Sequence, residues 1–116
     1  MYGFFKAGSP FIEISIEGRK IETLVDTGFN GHLMLPLHLI GELGLDLIGI
    51  SDYLTASGDK NLTKVYKGKL NIFNDKIEVP ILSTNSDVRL AGMELFSECK
   101  LIIEKKKDIV EVFKSK

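Results

Sequence analysis

Along Phe11-Ile12-Glu13-Ile14-Ser15-Ile16-Glu17 the apolar and polar positions alternate. Ile12, Ile14 and Ile16 share one face, and Glu13, Ser15 and Glu17 the other, which is the period of a strand with one buried side. Gly18-Arg19-Lys20 supplies a turn, and Ile21 to Val25 reads as the returning strand, ending on Asp26. His32-Leu33-Met34-Leu35 is a short apolar run closed by Pro36. From Leu37 to Leu45 the period changes. Leu37, Ile40, Leu43 and Gly44 fall at helical spacing, which predicts one short helix, weakened by Gly41 and terminated by Gly44.

The second half returns to strands. Tyr53 to Ala56 and Leu62 to Gly68 flank the polar stretch Ser57-Gly58-Asp59-Lys60-Asn61, predicting a hairpin whose tip has no apolar anchor. Lys69 to Phe73 and Lys76 to Leu82 form another pair around Asn74-Asp75. Gly92 to Glu98 reads as a short helix with Leu95 and Phe96 facing inward. Leu101-Ile102-Ile103 and Ile109-Val110-Glu111-Val112 close the chain as a last hairpin. Many short strands, close turns and one or two short helices predict an all-β fold, a small closed or half-open β-barrel. No repeat of fixed period, linker or low-complexity tract divides the sequence, so residues 1–116 are expected to form a single domain.

Charge and composition narrow the partners. A net charge of −1 argues against a general nucleic-acid binder, which needs a basic surface. The basic run Lys105-Lys106-Lys107, followed by Asp108, reads as a solvated turn. No apolar run is long enough to span a bilayer, and MYGFFKAGSPF lacks the apolar core of a signal peptide. Cys99 is the one cysteine, which rules out an intrachain disulfide and favours a reducing compartment; the expected location is cytoplasmic. A chain of 116 residues can bury a real core but has little left for a deep cleft inside one copy, so a wide site is easier to build between two chains.

Most familiar chemistries find no support. His32 and His38 are separated by Pro36 and do not share a helical face, which leaves no zinc site with the distant Cys99. No serine sits in a nucleophile elbow, and there is no Walker loop or complete GxGxxG, so no metal or cofactor is expected. Gly28-Phe29-Asn30-Gly31 could cradle a phosphate through its free amides, but such a loop normally opens a helix, and here His32 to Leu35 reads as a strand.

Asp26 remains. After Ile21, Leu24 and Val25 a carboxylate is expensive to bury and cheap to expose at a turn. A turn aspartate accepting nearby amides accounts for Asp26 and Gly28. It does not account for the order of apolar strand, Asp-Thr-Gly, second glycine, apolar strand and proline in LVDTGFNGHLMLP. That segment resembles the active-site segment of the retropepsin-like aspartic proteases. Val88-Arg89-Leu90-Ala91-Gly92-Met93-Glu94-Leu95-Phe96 resembles a second landmark near the end of those proteins, and the polar hairpin between the two falls where the family carries its flap. The resemblance runs from about Phe11 to Val112.

The resemblance implies the retropepsin type of barrel and an aspartic endopeptidase acting on peptide or unfolded protein. Such chemistry needs two carboxylates sharing a proton, because like charges a few ångströms apart cannot both ionise cheaply. With one Asp-Thr-Gly per chain, only a homodimer can supply them. By the same resemblance Asp26 is catalytic, Thr27 locks the two loops together across the two-fold axis, and Gly28 lets its amide approach the carboxylates. Ser57, Gly58, Asp59 and Lys60 form the flap tip, and Leu90, Ala91 and Gly92 support the catalytic loop from behind; for these last three, plain core packing is the competing reading. Many family members carry alanine or serine where this chain has Phe29, whose ring is expected to line a substrate subsite or to crowd the cleft. The reading from another class is a catalytically inactive dimer that keeps the fold and holds peptides without cutting them.

Overall fold

The computed structural model describes residues 1–54 and 57–116. In chain order the elements are β1 (Phe4–Lys6), β2 (Ser9–Ile16), β3 (Arg19–Val25), β4 (Leu33–Pro36), α1 (Leu37–Leu43), β5 (Asp46–Leu54), β6 (Lys60–Ile72), β7 (Asp75–Thr84) and β8 (Leu90–Ala91). A 3₁₀ turn, Met93–Phe96, leads into β9 (Cys99–Glu104) and β10 (Ile109–Lys114), which are joined by a second 3₁₀ turn over Lys105–Lys107. The fold is all-β, as the alternation predicts.

Eight strands form one sheet in the order β1-β2-β3-β8-β4-β7-β6-β5. β2 also pairs with β6, through Ser15–Asn71 and Ile16–Leu70, so the sheet curls until its two halves meet. The inside of the curl is the core. Ile12, Ile14 and Ile16 of β2 are at most 2% exposed, and they pack with Ile21, Leu33, Leu35, Leu70 and Ile81. Burial of each such side chain stabilises the fold by about 1.5–3 kcal/mol. Val110 and Val112 bring the β9–β10 hairpin onto the same core.

Several elements differ from the sequence expectation. The first hairpin turns on Glu17-Gly18, both at positive φ, and Arg19 already belongs to β3. β6 is one strand of 13 residues where two were expected with a break at Gly68. A Cβ at Gly68 would strike Ile81 Cδ1, so this glycine marks a close approach inside a strand. β5 begins at Asp46, earlier than Tyr53, with a register irregularity between Leu47 and Gly49; Thr55 and Ala56, the end of the expected strand, lie outside the described residues. In α1 the buried residues are Leu39 and Ile40, while Leu37 is 42% exposed. Gly44 terminates the helix as expected, at φ 66°, where only a residue without a Cβ is unstrained.

The N-terminus adds a strand-like edge that its brevity hid from pattern reading. Met1 and Val112 exchange two hydrogen bonds (2.8 and 2.9 Å), and the Gly3 amide donates to the Val110 carbonyl at 2.8 Å. In the lysine turn, Lys105 is partly committed: its ammonium donates to the Gly8 carbonyl and lies 4.9 Å from the centre of the Phe5 ring. Among the described residues no helix is long and apolar enough to cross a membrane.

Candidate active site

β3 carries Asp26 out of the barrel. The sheet holds the chain up to that residue: Leu24 and Val25 pair with Leu90 and Ala91 of β8 in parallel register. The Leu24 amide donates to the Arg89 carbonyl (2.8 Å) and the Asp26 amide to the Ala91 carbonyl (2.9 Å). β8 is therefore a two-residue wedge between β3 and β4, whose Leu33 and Met34 pair with Ala91 and Leu90. Past Asp26 the chain leaves the sheet and turns. The Phe29 amide donates to the Asp26 carbonyl (3.2 Å), and the Gly28 amide donates to Asp26 Oδ1 (2.9 Å). The carboxylate is half-buried, and Thr27 and Gly28 are exposed.

The bond from Gly28 is what a turn aspartate makes, so that description of Asp26 holds locally. A second layer of bonds goes further. The Gly92 amide donates to the His32 carbonyl (2.9 Å), the Met93 amide to the Phe29 carbonyl (2.9 Å) and the Glu94 amide to the Gly31 carbonyl (3.1 Å). The 3₁₀ turn is thus stitched along the underside of the Asp26 loop, each bond contributing about 1 kcal/mol net. Gly92 is required by this closeness: a Cβ there would meet the Gly31 carbonyl oxygen and lie 2.6 Å from Phe29 Cδ2 and 2.8 Å from the Phe29 carbonyl oxygen. Ala91 is fully buried and Leu90 half-buried beside the loop.

In the single chain Phe29 faces inward. Its ring is 3% exposed in the single chain and packs with Met34, Val65 and Leu82 of three different strands, with Leu90 against them. Facing inward gives the ring apolar neighbours, whereas lining a subsite would leave it in water. Ser57, Gly58, Asp59 and Lys60 are all exposed at the end of the β5–β6 hairpin, where the Ser57 hydroxyl donates to Asp59 Oδ2 (3.1 Å). Asp26, Thr27, Gly28, Phe29 and residues 90–92 therefore form one assembly, and residues 57–60 belong to a separate hairpin.

Concave surfaces flank the loop. One groove of about 420 Å³ adjoins the residues leading into it, with Leu24, Val88 and Leu90 on its walls and Lys6, Glu22 and Arg89 around them. Another of about 340 Å³ adjoins the residues leaving it, between Asn30, Gly31 and His32 and the β5 residues Ser51 and Asp52. A cavity of about 640 Å³ is lined by Leu37, Ile50, residues 61–64 of β6 and residues 83–86, and like the 420 Å³ groove it includes none of loop residues 26–31. His32, which the sequence supports neither as a metal ligand nor as the partner of a nucleophile, lines the 340 Å³ groove. Burial pushes its pKa below the ordinary 6.5, and Glu94 pulls weakly the other way. Among the described residues no three His, Cys, Asp or Glu side chains gather as a metal site.

No protein-family model matches the sequence, and no curated protein is significantly similar to it. Solved structures are. A retropepsin-like aspartic protease from Rickettsia conorii superposes with a TM-score of 0.67 at 24% identity, covering 98% of this chain and 88% of that one. The protease of EIAV, solved with an inhibitor, gives 0.64 at 15% identity over 77% of this chain and 86% of its own. A foamy viral protease–reverse transcriptase, solved with an RNA/DNA hybrid, gives 0.57 at 17% identity over 78% of this chain and 12% of its own. The fold of this chain is that of the retropepsin-like aspartic proteases.

Proposed function

We propose that this chain is an aspartic endopeptidase that works as a homodimer, cleaving peptide or unfolded protein between two copies of Asp26. The observation that carries the reading is the Asp26 loop: a single Asp-Thr-Gly with its backbone bonded to β8 and the 3₁₀ turn and its tip exposed, on a retropepsin-like fold. A half-buried carboxylate on a loop fastened to the sheet is what one half of a dyad requires.

With two copies facing each other, one carboxylate is ionised and the other protonated. The ionised one takes a proton from a water molecule, whose oxygen bonds to the amide carbon. The protonated one gives its proton to the carbonyl oxygen. The resulting gem-diol collapses as the nitrogen is protonated and the C–N bond breaks, yielding an acid and an amine and returning the dyad to one shared proton. Thr27 would bridge the loops, and residues 57–60 would close over the substrate. The groove along Asn30, Gly31 and His32 suits an extended peptide bound as an added strand.

The test is incubation of the pure protein with an unfolded protein mixture across a pH range, with the fragments sequenced. Fragments are expected from the parent and none from Asp26→Asn, which should keep the same circular dichroism spectrum; specific activity should fall on dilution below the dimer dissociation constant. Equal cutting by Asp26→Asn would remove Asp26 from the chemistry. A parent that binds unfolded chains and never cuts them would be the inactive peptide-binding dimer.

A further inference from the structure

Phe29 is tied to Asp26 by its backbone, and its ring is seated in the barrel. Its amide donates to the Asp26 carbonyl (3.2 Å), and its carbonyl accepts from Met93 (2.9 Å). The ring lies beneath the loop against Met34 of β4, Val65 of β6 and Leu82 of β7. We propose that Phe29 is a positioning residue: its ring is the strut that sets the height of the Asp26-Thr27-Gly28 turn above the barrel, and the ring is what demands glycine at position 31. The catalytic half of this proposal rests on the protease reading above.

The demand on Gly31 is visible in its surroundings. A Cβ built there would lie 2.6 Å from Phe29 Cζ, 2.9 Å from Cε1 and 3.4 Å from Cε2, so its three nearest neighbours all belong to that ring. No positive φ is involved at Gly31. At Gly92, by contrast, a Cβ meets backbone oxygens as well as the ring. Gly31 therefore answers to the ring, and Gly92 to the loop's main chain. Removing the ring leaves a void among Met34, Val65 and Leu82, which the loop can partly fill by sinking. The Asp26 carboxylate would sink with it, and a misplacement of about 1 Å at a reacting group costs on the order of 100-fold in rate.

The experiment is a double-mutant cycle of Phe29→Ala and Gly31→Ala, with Phe29→Leu as a gentler variant to complete the same cycle if Phe29→Ala does not fold. Four quantities are read: denaturation midpoint, dimer fraction, kcat against KM on a peptide the parent cuts, and amide exchange at Gly28 and Met93. Gly31→Ala should destabilise the parent and be neutral or stabilising once the ring is gone. Loss of the ring should lower kcat at least tenfold with KM within twofold and the dimer intact, and speed exchange at both amides at least threefold, with Phe29→Leu in between. Equal cost of Gly31→Ala in both backgrounds would overturn the strut. So would unchanged kcat and unchanged exchange in a folded ring-less dimer, which would make Phe29 ordinary core. If the parent cuts no peptide, the protease reading falls by itself, and the Gly31 coupling and amide exchange still decide whether Phe29 positions the loop.

Discussion

Replacing Gly92 by alanine should unseat the Asp26 loop from its support. At φ −97° and ψ 175° the backbone accepts any residue, so the cost is steric alone. The new methyl would meet the Gly31 carbonyl oxygen and sit 2.6 Å from Phe29 Cδ2 and 2.8 Å from the Phe29 carbonyl oxygen. Overpacking of this kind costs about 1–3 kcal/mol. Relief requires the 3₁₀ turn to back away, which stretches the bonds from Gly92, Met93 and Glu94 to the loop, each worth about 1 kcal/mol. Clash and relief are alternatives rather than a sum, so a loss of about 1–3 kcal/mol is expected, against a total stability of about 5–15 kcal/mol for such a domain. Gly41→Ala is the opposite control: it lies inside α1 with nothing within 4 Å of a built Cβ, so alanine should gain about 0.5–1 kcal/mol from helix propensity. Urea unfolding followed by circular dichroism reads both as midpoint shifts at constant slope. A Gly92→Ala loss under about 1 kcal/mol, or equal effects at the two glycines, would refute the packing argument.

Two further outcomes follow from shifted titrations. Burial holds His32 below the ordinary 6.5, so as pH falls through that value the unfolded chain gains a proton that the folded chain resists, and stability drops until the folded pKa is passed. His32→Gln should flatten that part of a stability–pH curve between pH 8 and 5, and a curve of unchanged shape would refute the assignment. Burial, then Glu98, raises the Cys99 thiol, with Lys114 and the N-terminus opposing. Cys99 should thus alkylate more slowly at pH 8 than a free peptide thiol, and Glu98→Gln should speed it; labelling at the free-thiol rate would overturn this.

What was legible in the sequence was whatever one face of one strand dictates. Ile12, Ile14 and Ile16 announced β2 because three isoleucines at period two have one place to go. The strand that delivers Asp26 was legible from the apolar Ile21, Leu24 and Val25 before it, and Leu95 and Phe96 were correctly expected to face inward. Features set by partners were not. The early half of β5 reads as Leu47-Ile48-Gly49-Ile50, which breaks alternation where the register slips, and Leu47, Ile48 and Ile50 are more than half exposed. Gly68 looked like a strand end because a sequence does not reveal Ile81 across the sheet. The inward turn of Phe29 depends on a pocket assembled from β4, β6 and β7. The one hint was local: an aromatic residue bracketed by Gly28 and Gly31, with Gly92 far downstream.

The choice between a buried and an exposed Asp26 resolves by separating main chain from side chain. Its amide is locked to Ala91, and its carbonyl accepts from Phe29. The carboxylate is only half-buried, next to the exposed Thr27 and Gly28. Within one chain the group therefore keeps much of its water, and the cost of removing a charge from solvent is largely deferred. What the chain supplies is placement, through the wedge of β8, the 3₁₀ turn and the Phe29 ring. What its described residues do not bring to Asp26 is a dry environment or a second acid. Under the proposed reading both arrive together, because the surface that would exclude water from one Asp26 is the surface that carries the other. A monomer is then inactive for a chemical reason as well as a geometric one. Its lone carboxylate has no neighbour with which to share a proton, and solvent screens the charge on which general acid–base transfer depends.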